Sequence, residues 1–242
     1  MEENKTNLYE EEIKELQKGL TPFPEDIFVG DQSWLPNYLL PLISVDLGIL
    51  RTDLAGTVLH IVNPTEPYEG IIGEETSNFH NEFCTENWIA FRLTKDNKYI
   101  FLGDEDYFLS AAKHKDIVDT DFLDHIKAIR ENYEKAKVKY KEKGELLPWQ
   151  NDNPQNFLDR LGGEIWYGNW TNTAPVPSAF EMSIDESGEN LRNDGISILY
   201  KGKEFMYVGE VAGYNYCGEG ADSILTFYEP ESRIVLFTYD WT

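Results

Sequence analysis

The sequence has little of what most catalytic and metal-binding sites are built from. Only two of its 242 residues are cysteine and four are histidine. Cys84 and Cys217 are too few for a disulfide framework, so reduced thiols are the expectation. His80 and Cys84 stand four apart, a spacing that on a helix turns both toward one ion, but zinc asks for three or four ligands. His60, His114, His125 and Cys217 add no paired spacing. No metal and no cofactor is therefore expected. There is no Gly-x-Ser-x-Gly elbow, neither cysteine sits in a nucleophile signature, and Gly162-Gly163 is not followed by the Lys-Ser/Thr of a phosphate loop. No catalytic residue is nominated and no enzyme activity is expected; a hydrolase working with carboxylates is what these absences leave open.

Basic residues are scarce as well. Lysine and arginine number 21 against 44 aspartates and glutamates, a net charge of −23. Seven of the basic residues and only three of the acidic ones fall between Lys127 and Lys143, which leaves 14 against 41, or −27, for everything else. Such a body repels phosphate backbones, so nucleic acid is excluded as a partner. It suits either plain solubility or docking to a basic protein. No apolar run approaches the roughly 18 residues of a membrane span. The opening Met1-Glu2-Glu3-Asn4 is acidic where a secretory signal is basic and then apolar. A cytoplasmic protein that avoids membranes is expected.

What is present reads as a globular chain, 41% hydrophobic and 14% aromatic. Leu8, Ile13 and Leu16 give residues 7–19 an apolar stripe that Gly19 ends, which predicts a short N-terminal helix. Strands are expected at 39–47 and 57–63, and a hairpin at 88–94 and 99–102 around Lys95-Asp96-Asn97-Lys98. The polar stretch 64–87 reads as an irregular loop. The longest helix is expected from Asp121 to Lys143, with Thr120 as its N-cap and Gly144 as its stop. Phe122, Ile126, Ile129, Tyr133, Ala136 and Tyr140 recur at steps of four and three and give it one continuous face. Residues 145–156, bracketed by Pro148 and Pro154, read as a connector. Strands at 195–200 and 205–211 follow, joined by Lys201-Gly202-Lys203-Glu204, and then 223–229 and 233–239 around Glu229-Pro230-Glu231-Ser232. Turns this short join antiparallel strands, and helices that do not alternate with strands make the class α+β.

The chain also echoes itself. Leu39-Leu40-Pro41-Leu42-Ile43-Ser44-Val45 aligns with Phe205-Met206-Tyr207-Val208-Gly209-Glu210-Val211, 166 residues on, and Thr57–Pro64 aligns with Ser223–Pro230 at the same offset. Four of the 26 aligned positions from Leu39 to Pro64 are identical, and the shared grammar is an apolar strand, a loop, a second apolar strand and a proline. The reading is one body over residues 1–242, made of two similar halves at about 20–145 and 155–242, each an antiparallel unit.

A Gly-and-Trp element precedes each echoing strand: Val29-Gly30-Asp31-Gln32-Ser33-Trp34 in the first half and Leu161-Gly162-Gly163-Glu164-Ile165-Trp166-Tyr167-Gly168-Asn169-Trp170 in the second. With the closing Phe237-Thr238-Tyr239-Asp240-Trp241-Thr242, this order resembles the YwqG-like family of bacterial proteins. The resemblance spans about residues 27–66 and 157–242. It implies a duplicated α+β fold with antiparallel sheets, brings no established catalytic residues, and points by analogy to toxin–immunity neighbourhoods.

The most unusual local sequence is the loop Gly213-Tyr214-Asn215-Tyr216-Cys217-Gly218-Glu219-Gly220-Ala221-Asp222. Three readings stand: glycines admitting positive φ while tyrosines pack on a sheet edge, exposed aromatics recognising a partner, or a catalytic thiol at Cys217. The binding candidates are Trp166, Trp170, Tyr214, Tyr216, Glu219 and Asp222. The expected function is a non-enzymatic cytoplasmic binding protein of immunity type that masks a cognate basic toxin, or else a small-molecule sensor with an aromatic-lined pocket.

Overall fold

The computed structural model describes residues 9–148, 153–184 and 195–241. Along the chain lie β1 (Tyr9–Ile13), β2 (Leu20–Pro22), β3 (Leu39–Asp46), β4 (Val58–Pro64), β5 (Trp88–Leu93), β6 (Tyr99–Phe101), helix α1 (Thr120–Lys143) and β7 (Leu158–Gly162). The short helix α2 (Trp170–Thr173) precedes β8 (Phe180–Ile184), β9 (Ile196–Tyr200), β10 (Lys203–Glu204) and β11 (Met206–Val211). A second short helix, α3 (Tyr214–Cys217), leads into β12 (Ser223–Glu229) and β13 (Ile234–Asp240). The class is α+β, with strand pairs that run antiparallel and one long helix.

Seven strands form the main sheet in the order β1-β7-β11-β12-β13-β5-β6, and two three-stranded sheets are ordered β2-β3-β4 and β10-β9-β8. Every residue of β12 and β13 is buried. Their runs Ser-Ile-Leu-Thr-Phe-Tyr-Glu and Ile-Val-Leu-Phe-Thr-Tyr-Asp therefore lack in/out alternation, as expected of strands covered on both faces. β4 lies beside β12. Trp170, fully buried, meets Trp88 and Phe227 at ring distances of 6.0 and 5.9 Å.

The expected pairs β3–β4, β5–β6 and β12–β13 all form. In β3–β4 the register slips between Pro41 and Ile43, and in β11–β12 it slips between Tyr207 and Gly209, 166 residues further on. Helix α1 buries Phe122, Ile129, Tyr133 and Ala136. Its Tyr133 hydroxyl donates to the Pro41 carbonyl at 2.6 Å, Arg130 donates to the carbonyls of Pro36 and Asn37, and Lys137 pairs with Glu25 at 2.9 Å. Its N-cap is Asp119 rather than Thr120: the Asp119 carboxylate accepts from the Phe122 amide at 2.9 Å. Gly144 ends it in the left-handed region at φ 75°.

Two further expectations are corrected. The N-terminal helix is a strand: β1 pairs with β7, Glu10 opposite Leu161 and Ile13 opposite Leu158, and covers what would otherwise be an open sheet edge. Of the helical stripe, Ile13 is buried while Leu16 is 36% exposed, and Leu8 lies outside the described residues. Strands 195–200 and 205–211 meet only where the Phe205 amide donates to the Ile198 carbonyl at 2.9 Å, and from Met206 onward they do not pair. β9 turns tightly into β10, and the chain then leaves that small sheet for the main one, where β11 sits between β7 and β12. In the 145–156 segment, Leu146, Leu147 and Pro148 are buried, and residues 149–152 lie outside the described residues.

Candidate functional site

Beyond β4 the chain is pinned by one buried carboxylate. Glu66 accepts from the amides of Leu109 and Ser110 at 2.8 and 3.0 Å and from the Ser110 hydroxyl at 2.7 Å. Burial pushes its pKa up, while those hydrogen bonds and the nearby His114 work against the rise. Thr76 donates to the Tyr107 carbonyl at 2.6 Å, and the Asn87 amide donates to the Ile72 carbonyl at 2.9 Å. Gly73 turns at φ 82°, and a Cβ there would stand 2.8 Å from the Tyr107 hydroxyl, so only glycine fits. These bonds hold the 66–76 loop against residues 107–110, which precede α1 in the chain.

Between that loop and the start of α1 opens a groove of about 240 Å³. Its walls include Ile71, Ile72, Leu109, Val118 and Phe122, and five carboxylate residues line it: Glu66, Glu69, Glu74, Glu75 and Asp119. Among the described residues no lysine or arginine lines it. Glu66 and Asp119 are engaged with backbone amides as described, and Glu74 accepts from the Ile71 amide at 3.3 Å. Glu69 and Glu75 are exposed. At the rim, Tyr68 is 48% and Ile117 66% exposed, with Leu123 of α1 at 51% close by in sequence. The Tyr68 ring lies 5.2 Å from that of His125, whose Nδ1 is 2.9 Å from Glu219 Oε2.

The six residues singled out in the sequence do not form one surface. Trp170 and Tyr216 are fully buried, so they serve as core rather than as contact anchors. The Trp170 amide donates to Asp240 Oδ1 at 3.0 Å, and the Tyr216 hydroxyl to the Phe157 carbonyl at 3.0 Å. Half-buried Trp166 donates from its indole to the Glu210 carboxylate, which also accepts from Tyr207 and lies 3.9 Å from Arg160 Nε. Tyr214 is 38% exposed, and its pKa is raised by burial and by the charges of Asp159 and Asp222. The Asp222 amide donates to the Asp240 carbonyl at 3.0 Å. Thus Trp166, Trp170, Tyr214 and Asp222 gather around one end of the main sheet, Tyr216 points into the core, and Glu219 turns to α1.

The glycines of the 213–222 loop answer to Asn63 on β4. Cβ atoms at Gly213 and Gly220 would stand 2.4 and 2.9 Å from Asn63 Oδ1. Both cysteines are buried free thiols, and burial pushes the Cys84 pKa up to about 12 and that of Cys217 higher still, away from the thiolate a nucleophile needs. Among the described residues no group of three or more His, Cys, Asp and Glu side chains is arranged to hold a metal ion. One pairing invisible in the sequence is Ser44–His60, across β3 and β4. Ser44 Oγ lies 2.7 Å from His60 Nδ1, and His60 Nε2 lies 2.6 Å from the Asn97 carbonyl. Both side chains are buried, and burial lowers the His60 pKa to about 4, too low for an efficient general base near neutrality.

Comparison of the chain with protein-family models, with curated proteins and with solved structures finds no match. Sequence reasoning passed over the groove because its acidic side came from a stretch read as loop. The available signal was the density of Glu66, Glu69, Glu74 and Glu75 around Tyr68 in a segment with no basic residue.

Proposed function

We propose that this is a non-enzymatic binding protein of the cytoplasm, of immunity type, which masks a basic protein partner such as a toxin. The observation that carries the reading is the groove: five carboxylate residues, apolar walls, exposed aromatic and aliphatic side chains at its rim and, among the described residues, no lysine or arginine in its lining. A net charge of −23 steers a cationic partner toward such a surface. Two buried, reduced cysteines suit a reducing compartment, and no helix among the described residues is long and apolar enough to cross a membrane. The register slips at equivalent positions of β3–β4 and β11–β12 support an internal duplication of the YwqG-like kind.

The test is direct binding between the purified protein and the product of the neighbouring gene. The expected complex weakens about tenfold in Kd between about 50 and about 300 mM salt, because exposed charges are screened over that range. Absence of a complex, together with absence of protection when the two are co-expressed, would remove the immunity reading. A small ligand retained in native mass spectrometry would favour a sensor instead.

A further inference from the structure

Resting on the binding-protein reading above, we propose that the groove between the 66–76 loop and the start of α1 seats one lysine or arginine side chain of the basic partner, beside an apolar partner residue that covers Tyr68 and Ile117. Size decides against a larger occupant. At about 240 Å³ the groove falls below the roughly 300–1,000 Å³ of sites that enclose drug-sized ligands, and it matches a single long side chain. Its chemistry is graded in the same way as a cationic side chain. The walls of Ile71, Ile72, Val118 and Phe122 suit an alkyl stem, and the carboxylates suit the charged head.

Which carboxylates meet the head follows from what each is already doing. Glu66, Glu74 and Asp119 accept from backbone amides and contribute field. Glu69 and Glu75 line the groove and are exposed, so they are the pair available for direct contact. The Tyr68 ring adds a face for the cation, which favours arginine, whose planar group both stacks and forks. A divalent metal fits less well, since it needs six or more converging oxygens and no group of three or more ligand side chains is so arranged among the described residues.

The full-length, isotope-labelled protein is titrated with N-acetyl-arginine methylamide and with its neutral counterpart N-acetyl-citrulline methylamide, and the perturbed amides are mapped. Arginine is expected to bind with Kd in the millimolar range, with shifts confined to residues 66–76 and 117–123. Citrulline and the Glu69→Gln/Glu75→Gln variant should each weaken binding about tenfold, as expected for loss of a charge-assisted contact. The same variant should weaken the partner complex. Equal binding of citrulline, or shifts mapping to 213–222, overturns the proposal. A partner complex indifferent to the variant also overturns it while leaving the binding-protein function standing. Free arginine binding here far more tightly than the blocked form assigns the groove to a small molecule, which overturns the partner side chain as occupant. If the neighbouring product fails to bind but the blocked probe maps to the groove with the expected charge dependence, the site stands and only the partner's identity is lost.

Discussion

The His60 imidazole lies between two strands with both nitrogens occupied, Ser44 Oγ 2.7 Å from Nδ1 and the Asn97 carbonyl 2.6 Å from Nε2. A carbonyl only accepts, so Nε2 carries the proton and Nδ1 accepts from the serine. The Tyr99 hydroxyl donates nothing to the ring; it accepts from the His60 amide at 2.7 Å. Protonating the ring would turn Nδ1 from acceptor to donor toward Ser44 Oγ and leave a charge inside the fold, and desolvation holds the pKa at about 4 against an ordinary 6.5. Between those values the unfolded chain binds more protons than the folded one. The contribution is therefore complete above about pH 6.5 and is lost as pH falls toward about 4, amounting at most to about 3 kcal/mol. Buried Glu66 and Glu210, whose pKa values are raised, act in the opposite sense, so the variant comparison isolates the histidine. Denaturant unfolding at about pH 7.5 and about pH 5 should show wild type losing more stability than His60→Asn over this interval. Equal losses in the two proteins would disprove the assignment.

At the scale of elements, contacts between residues near in sequence were legible and distant ones were not. α1 was readable from its apolar period and its Gly144 stop, and the β5–β6 and β12–β13 pairs from their turn residues. β1 was not, because Tyr9–Ile13 becomes a strand only by pairing with β7 about 150 residues away. The groove was hidden for the same reason: its walls come from 66–76 and 109–122, joined through Glu66. The 213–222 loop could be read as unusual but not explained, since the cause is Asn63 on β4. Gly213→Ala places a methyl 2.4 Å from Asn63 Oδ1 in a buried position and should cost about 1–3 kcal/mol. Gly220 has φ 120°, so alanine there adds backbone strain to the clash. Because Asn63 is the obstacle, Asn63→Ala should absorb part of the Gly213→Ala penalty in a double-mutant cycle monitored by urea unfolding. Strict additivity would mean that the loop glycines answer to something else.

For the whole molecule, the balance of 44 acidic to 21 basic residues makes folding and association respond to salt with opposite signs. Most of the ion pairs among the described residues are exposed at one or both partners, as in Lys203–Glu231 and Lys98–Asp26, and such pairs contribute little. The larger electrostatic quantity in the folded state is repulsion among carboxylates, which compaction intensifies. Raising salt from about 0.05 to about 0.5 M shortens the screening length severalfold and relieves that repulsion. The thermal midpoint should therefore rise over this range, even as the complex with a basic partner weakens. A helix with seven basic residues between Lys127 and Lys143 works locally against the trend, since pairs such as Lys137–Glu25 are screened too. Neutralising Glu69 and Glu75 should raise the midpoint at low salt and flatten its salt dependence, because it removes repulsion from the groove without breaking any ion pair among the described residues. A midpoint that falls with salt would show that the paired charges, and not the surplus, govern this fold.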